Sequence, residues 1–249
     1  MKGELNIFFN AVLYYTRISV PKSVDCNNEN LAKAYRYFPL IGYLVGAIAA
    51  CIFTSAAYFL PQGIAIVLAM IAMILCTGAL HEDGLADFCD GFGASPNKVE
   101  VLRIMKDSHI GTYGVIALIL SFLIKFQAMN SLDISSVALA FLLAQGASRL
   151  APMLLIYTLP YARLENSKIP QATLGISKFS LVVIIITALV PIFFYDYRLA
   201  IIYTIANILL FLGLRMIIKK RIGGFTGDTA GAVQQLSEIL FYVIAASTY

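Results

Sequence analysis

Long apolar runs alternate along the chain with short turns and longer polar segments. Runs at 38–60, 62–80, 110–130, 135–158, 179–195, 199–218 and 230–247 reach or approach the roughly 20 residues that carry a helix across a bilayer. About seven transmembrane helices are therefore expected. Only Pro61-Gln62-Gly63 separates the first two runs. Residues 4–16, ELNIFFNAVLYYT, are shorter and amphipathic, with Phe8, Phe9, Val12 and Leu13 clustered, and read as an interfacial helix. The polar segments fall at 17–37, 81–109, 159–178 and 219–229. No repeat, low-complexity stretch or long linker divides the chain. The expectation is one all-α domain, 1–249, built as a polytopic helical bundle.

Composition agrees with that pattern. Of 249 residues, 60% are hydrophobic and 13% charged, about half the charged share of a soluble domain, and mean hydropathy is +0.82. Glu4 and Asn6 interrupt the start and no small-residue cleavage pattern follows, so it does not read as a cleavable signal. Cys26, Cys51, Cys76 and Cys89 form no CxxC pair, which argues against structural zinc and a disulfide framework. A net charge of +4 with no basic patch sets nucleic acid aside. The longer polar segments hold nearly all the Lys and Arg, and the alternate turns contribute only Arg198, so the polar loops are expected to be cytoplasmic. An odd number of spans would then put the C-terminus outside.

The polar island at 81–114 concentrates the chemistry. Glu82, Asp83, Asp87, Asp90, Glu100 and Asp107 are six of the chain's 14 acidic residues. On a helix, Asp83, Asp87 and Asp90 (i, i+4, i+7) lie within roughly 60° of one another. Three carboxylates so close repel, and a divalent cation relieves the repulsion; oxygen ligands favour Mg²⁺ or Mn²⁺. Placed after a span ending near Leu80, they would also oppose the helix dipole, which a purely structural role explains badly. The alternative is a solvated acidic loop. Further on, Arg103 and Lys106 are spaced to hold phosphate oxygens and Asp107 to add a metal ligand, unless the cations simply snorkel. In Arg221–Gly231, four glycines in nine residues (Gly223, Gly224, Gly227, Gly231) free the backbone to wrap a phosphate, with Thr226 and Asp228 among them. Asp228 also suits the N-cap of the last helix. Gln235 and Glu238 interrupt an apolar run and should face the bundle interior, as should Arg149 near Gln145 and Ser148. Lys125, mid-span, should snorkel or pair. His81 and His109 flank the island, suited to phosphate binding or proton transfer.

These stretches together resemble the cobalamin synthase family, the adenosylcobinamide-GDP ribazoletransferases. His81-Glu82-Asp83-Gly84-Leu85-Ala86-Asp87-Phe88-Cys89-Asp90-Gly91 is similar to the family's HxDGLADxxDG motif. The likeness extends to Ile104–Ser108, Ile110-Gly111-Thr112, Gly223–Thr229 and Gly231-Ala232, and earlier to Thr16-Arg17-Ile18 and Phe38–Gly42. Glu82 departs from the pattern, standing where an apolar residue is expected. The resemblance implies an integral membrane transferase of the cell (inner) membrane. It would use Mg²⁺ to join adenosylcobinamide-GDP to α-ribazole or its 5′-phosphate, giving adenosylcobalamin or its 5′-phosphate and GMP. The ribazole 3′-hydroxyl would attack the phosphate attached to cobinamide. Asp83, Asp87 and Asp90 would be catalytic, holding metal together with Asp107 and Asp228. His81, Arg103, Lys106, Arg149, Gly223, Gly224, Thr226 and Glu238 would bind substrate. The lipid bilayer is the expected surrounding, with a homo-oligomer or a complex with other cobalamin-pathway enzymes as further partners.

Rival readings share the acidic face. An aromatic prenyltransferase is expected to carry NDxxD-type motifs. A CDP-alcohol phosphotransferase is expected to carry DGxxAR, and Asp87 stands where that arginine would be. An ion-coupled transporter would keep its carboxylates at the midplane of broken, repeated helices, not in loops.

Overall fold

The computed structural model describes residues 3–162 and 175–248, so residues 163–174 of the loop expected at 159–178 lie outside the described residues. Helix α1 (Glu4–Tyr15) is followed by α2 (Asn28–Ala34), a 3₁₀ turn (Tyr35–Tyr37), α3 (Phe38–Ala57) and α4 (Gln62–Thr77). Two short helices occupy the acidic island, α5 (Leu80–Ala94) and α6 (Lys98–Ile104). Then come α7 (Thr112–Asn130), α8 (Ile134–Ala147), α9 (Leu150–Thr158), α10 (Lys178–Tyr195), α11 (Tyr197–Ile222) and α12 (Gly227–Thr248). Among the described residues the only strand-like pairing is an isolated bridge between Tyr161 and Phe225. The all-α bundle expected from the hydropathy pattern is what forms.

Five helical stretches are long and apolar enough to cross a membrane: 29–57, 112–130, 134–158, 178–195 and 197–222. A sixth arises if α4 and α5, bent by 87° at their junction, count as one. The expected last span, α12, is not among them. Its polar residues lower its hydropathy, and they face protein, not lipid. It packs on α5, α7, α8, α9 and α11, and Gln234, Gln235, Ser237 and Glu238 are all buried. Outward-facing residues such as Ile116, Leu120, Ile186, Phe193, Ile205 and Leu209 give α7, α10 and α11 an apolar surface suited to lipid.

Small residues let the helices approach. On α3, a Cβ at Gly42 would lie 2.2 Å from the Gln145 carbonyl oxygen, and one at Gly46 2.7 Å from that of Phe141. This small-xxx-small pair seats α3 directly against the α8 backbone. At the end of the bundle away from the polar loops, Gln62 Nε2 donates to the Leu132 carbonyl (2.9 Å), tying two of the short turns together.

The island departs from the expected loop. Gly78 (φ 67°) and Ala79 (φ 59°) are both left-handed, and two such residues in succession stop α4 and redirect the chain into α5. Arg17 closes over the junction: its N–H donates to the Cys76 carbonyl (2.7 Å) and its side chain lies where a Cβ on Gly78 would be. Glu82 and Asp83 consequently sit in the first turn of a new helix, where the dipole favours carboxylates. At this end of a helix neither carboxylate opposes the dipole, so neither needs a metal on that account.

Candidate active site

Helix α5 is held against α12 by two glycines. A Cβ on Gly84 would fall 2.8 Å from the Asp228 carbonyl oxygen, and Gly84 and Gly231 face each other across the crossing. Asp83 and Asp228 are thereby brought to the wall of one cavity of about 160 Å³. Its remaining walls come from the end of α1 (Tyr14, Tyr15), from Tyr35 and Phe38, from α9 and from the Tyr161–Phe225 bridge. Asp83 is exposed, Asp228 half-buried and His81 buried, so the carboxylates stand toward solvent and the histidine toward the core. Burial pushes the Tyr15 hydroxyl well above its usual value, so it remains a neutral phenol.

The glycine-rich loop works by turn geometry. Gly223 (φ 80°) ends α11 in the left-handed region that favours glycine. Gly224 admits the 160–162 segment, since its Cβ would meet the Pro160 carbonyl oxygen at 2.2 Å. Phe225 N–H donates to Pro160 (2.8 Å) and Ala162 N–H to Phe225 (2.8 Å). Thr226 N–H donates to Thr229 Oγ1 (2.8 Å) and Thr229 N–H to Thr226 Oγ1 (3.2 Å), a reciprocal cap that starts α12. The cap is thus Thr226, which leaves Asp228 in the first turn beside the cavity.

Asp90 is turned to a different task. It is buried and accepts from Gly111 N–H (2.7 Å) and Gly114 N–H (2.8 Å), capping α7 from a neighbouring helix. Asp107 is exposed and accepts from the backbone and ring of His109 (3.0 and 2.7 Å); the ring hydrogen bond first of all holds its carboxyl below the usual range. Arg103 is exposed and engages Glu100 through two bonds (2.9 and 2.7 Å), and Lys106 is exposed. Neither cation lines the cavity.

Arg149 and Glu238 lie deeper. Lys125 Nζ is 2.9 Å from Glu238 Oε1 and donates to Gln235 Oε1 (2.6 Å). Gln235 Nε2 donates to Glu82 Oε1 (3.1 Å), and Gln234 Nε2 to Glu238 Oε2 (2.9 Å) and Ser148 Oγ (2.9 Å). Arg149, fully buried at the α8–α9 junction, donates to Gln145 and stacks 5.2 Å from the Phe38 ring centre. Two cations and two carboxylates share this region of the core. Glu82, the departure from the family motif, is the link from the site helix to that network. Its position in an acidic run hid this, and only the inward-facing Gln235 hinted at a partner. Arg221 also went unassigned: it donates to the Phe92 carbonyl (3.1 Å) and that of Ser95, and so ties the end of α5 to α11.

Among the described residues, no group of three or more His, Cys, Asp or Glu side chains gathers closely enough to hold a metal. The five proposed ligands separate: Asp83 and Asp228 share the cavity, Asp87 follows one turn along α5, and Asp90 and Asp107 serve the approach to α7. A pair of carboxylates fits Mg²⁺ nonetheless, because this ion commonly takes one or two carboxylates and completes its shell with substrate phosphates and water.

The fold and cavity define a multi-pass membrane protein with an acidic, aromatic-walled site at the end of the bundle carrying the polar loops. The family model for cobalamin-5-phosphate synthase matches residues 7–246. An adenosylcobinamide-GDP ribazoletransferase from Shewanella pealeana is 40% identical over 97% of this chain and 95% of its own length. Its namesake from Shewanella piezotolerans is 37% identical over 98% and 95%, and that from Shewanella sp. W3-18-1 is 38% identical over 97% and 94%. No solved structure matches. The chain belongs to the cobalamin synthase family, and it is an enzyme, a transferase of late cobalamin biosynthesis.

Proposed function

We propose that the protein transfers the adenosylcobinamide phosphate moiety from adenosylcobinamide-GDP to α-ribazole or its 5′-phosphate, releasing GMP. The observation that carries this reading is the convergence of Asp83 and Asp228 on one aromatic cavity, in a chain whose relatives bear that name. A ribazole hydroxyl forms a bond to the phosphorus attached to cobinamide, and the bond from that phosphorus to the bridging oxygen of the pyrophosphate breaks. Asp83 or Asp228 accepts the hydroxyl proton, and GMP leaves with the bridging oxygen. A bound Mg²⁺ would neutralise charge on the pyrophosphate. Asp83 and Asp228, with Asp87 beside them, are the residues that would hold it. Asp90 and the Gly84–Gly231 contact position α5, and the aromatic walls place apolar surface beside the carboxylates. The cavity opens at the polar-loop end, which the Lys and Arg bias assigns to the cytoplasm.

The experiment is GMP release by protein purified in detergent, given adenosylcobinamide-GDP, α-ribazole and Mg²⁺. GMP appearing with a corrinoid product supports the reading; its absence from folded protein refutes it. Chelation of divalent cations should abolish turnover and re-addition restore it.

A further inference from the structure

We infer that Glu82 is a positioning residue: its bond to Gln235 fixes the rotation of α5 and so aims the neighbouring Asp83 toward Asp228. This rests on the proposed reaction and adds to it a residue that acts through Asp83 from the opposite, core-facing side of the site. The contact between α5 and α12 is made by glycines, with Gly84 and Gly231 backbone to backbone. Such a contact brings two helices close, but no side chains interdigitate there to key one helix against the other. Helix α5 also follows an 87° bend. Its far end is held by Asp90 on Gly111 and Gly114. Its near end, where Asp83 stands, needs a tie of its own, and Glu82 provides one.

Glu82 Oε1 accepts from Gln235 Nε2 at 3.1 Å, and Gln235 Oε1 accepts from Lys125 Nζ at 2.6 Å. A lysine ammonium only donates, so it takes the oxygen end of the Gln235 amide and turns the N–H₂ toward Glu82. Gln235 is 1% exposed and Lys125 2%, and in such surroundings a hydrogen bond is stronger than in water. These bonds join α5, α7 and α12 at one point. Stability alone explains Glu82 badly. Its second oxygen, Oε2, is buried with no partner among the described residues, a cost that an apolar side chain would avoid. What the carboxylate supplies is direction. Consecutive helix residues point about 100° apart, so holding Glu82 on its core partner orients Asp83 toward the cavity. A side-chain group lies roughly 5–6 Å from the helix axis, and a rotation of about 20° carries it through about 2 Å. A displacement of about 1 Å can cost on the order of a hundredfold in rate.

Conservative variants separate reach from charge. Glu82→Asp keeps the charge and shortens the side chain by one methylene, whereas Glu82→Gln keeps the length and one acceptor oxygen and loses the charge. The readout is GMP release by protein in detergent, measured well below the unfolding transition of each variant. Glu82→Asp should lower kcat by about tenfold or more, with KM for both substrates within about twofold, and Glu82→Gln should keep kcat within about threefold of wild type. Gln235→Met breaks the same bond from the partner side. It should lower kcat by about the factor seen in Glu82→Asp, and the double variant should be no slower than either single one. Wild-type kcat in Glu82→Asp, a greater loss in Glu82→Gln than in Glu82→Asp, or losses that multiply in the double variant would overturn the inference. If Glu82→Asp does not fold, Gln235→Met carries the test with Glu82 intact, and wild-type kcat there overturns it equally. Absence of GMP release from the wild-type protein refutes the reaction, whereas wild-type turnover with a failed variant pattern refutes this inference alone.

Discussion

Asp90 separates a structural carboxylate from a chemical one inside the same motif. Its two oxygens receive the N–H groups of Gly111 and Gly114 at 2.7 and 2.8 Å, and the residue is 7% exposed. Gly111 and Gly114 begin α7, whose N-terminal N–H groups have no partner within the helix. Hydrogen bonds to an ionised acceptor are worth about 1.5–3 kcal/mol each, and each buried donor left bare costs about 1–3 kcal/mol. Asp90→Ala should therefore lower stability by about 3–5 kcal/mol. Asp90→Asn keeps one acceptor oxygen but turns an amide N–H₂ toward the second donor, so about half that loss is expected, roughly 1.5–3 kcal/mol. The assay is unfolding in detergent followed by helical circular dichroism, with turnover measured well below the transition. The Asn variant should retain much of its turnover at low temperature and lose it early on warming. Asp90→Ala with wild-type stability and no turnover would refute the capping assignment and return Asp90 to the chemical step.

Other consequences follow from the same geometry. Asp83→Asn and Asp228→Asn should each reduce turnover at least a hundredfold, the scale of one lost proton acceptor, while the unfolding curve stays in place. Lys125→Met leaves Glu238 without its 2.9 Å partner in the bundle core and should cost about 3–5 kcal/mol, a loss that Lys125→Met with Glu238→Leu should largely recover. Gly84→Ala brings a methyl group to 2.8 Å from the Asp228 carbonyl and should destabilise by about 1–3 kcal/mol while lowering turnover, because α5 must shift. Asp107, held low by His109, contributes stability that is fully present above the unfolded carboxyl pKa and is lost as pH falls through its lowered value. Both partners are exposed, so Asp107→Asn should leave the acid limb of a pH–stability curve unchanged.

Much of this architecture was legible in the chain. Apolar run lengths located α3, α7, α8–α9, α10 and α11, and the cost of polar groups at depth predicted that Gln235, Glu238 and Arg149 would face inward. The motif spacing picked out Asp83 and Asp228, which the fold brings to one cavity. Other features depend on contacts between distant segments. Two left-handed residues at Gly78-Ala79 turn an apparent loop into a helix, and an alanine in that conformation carries no sequence mark. Periodicity put Asp83, Asp87 and Asp90 on one face, but it could not show that α7 would meet that face at Asp90. Gly224 resembled a phosphate-binding glycine because close backbone approach and phosphate wrapping ask for the same residue. Glu82 became intelligible only beside Gln235, 153 positions away.

GMP formation is the most direct measure of phosphoryl transfer at Asp83 and Asp228. Purified protein with adenosylcobinamide-GDP, α-ribazole and Mg²⁺ should release GMP in equal amount to a new corrinoid product, and Asp83→Asn should abolish both. Folded wild-type protein that yields neither, or an Asp83→Asn variant that yields both at the wild-type rate, would contradict it.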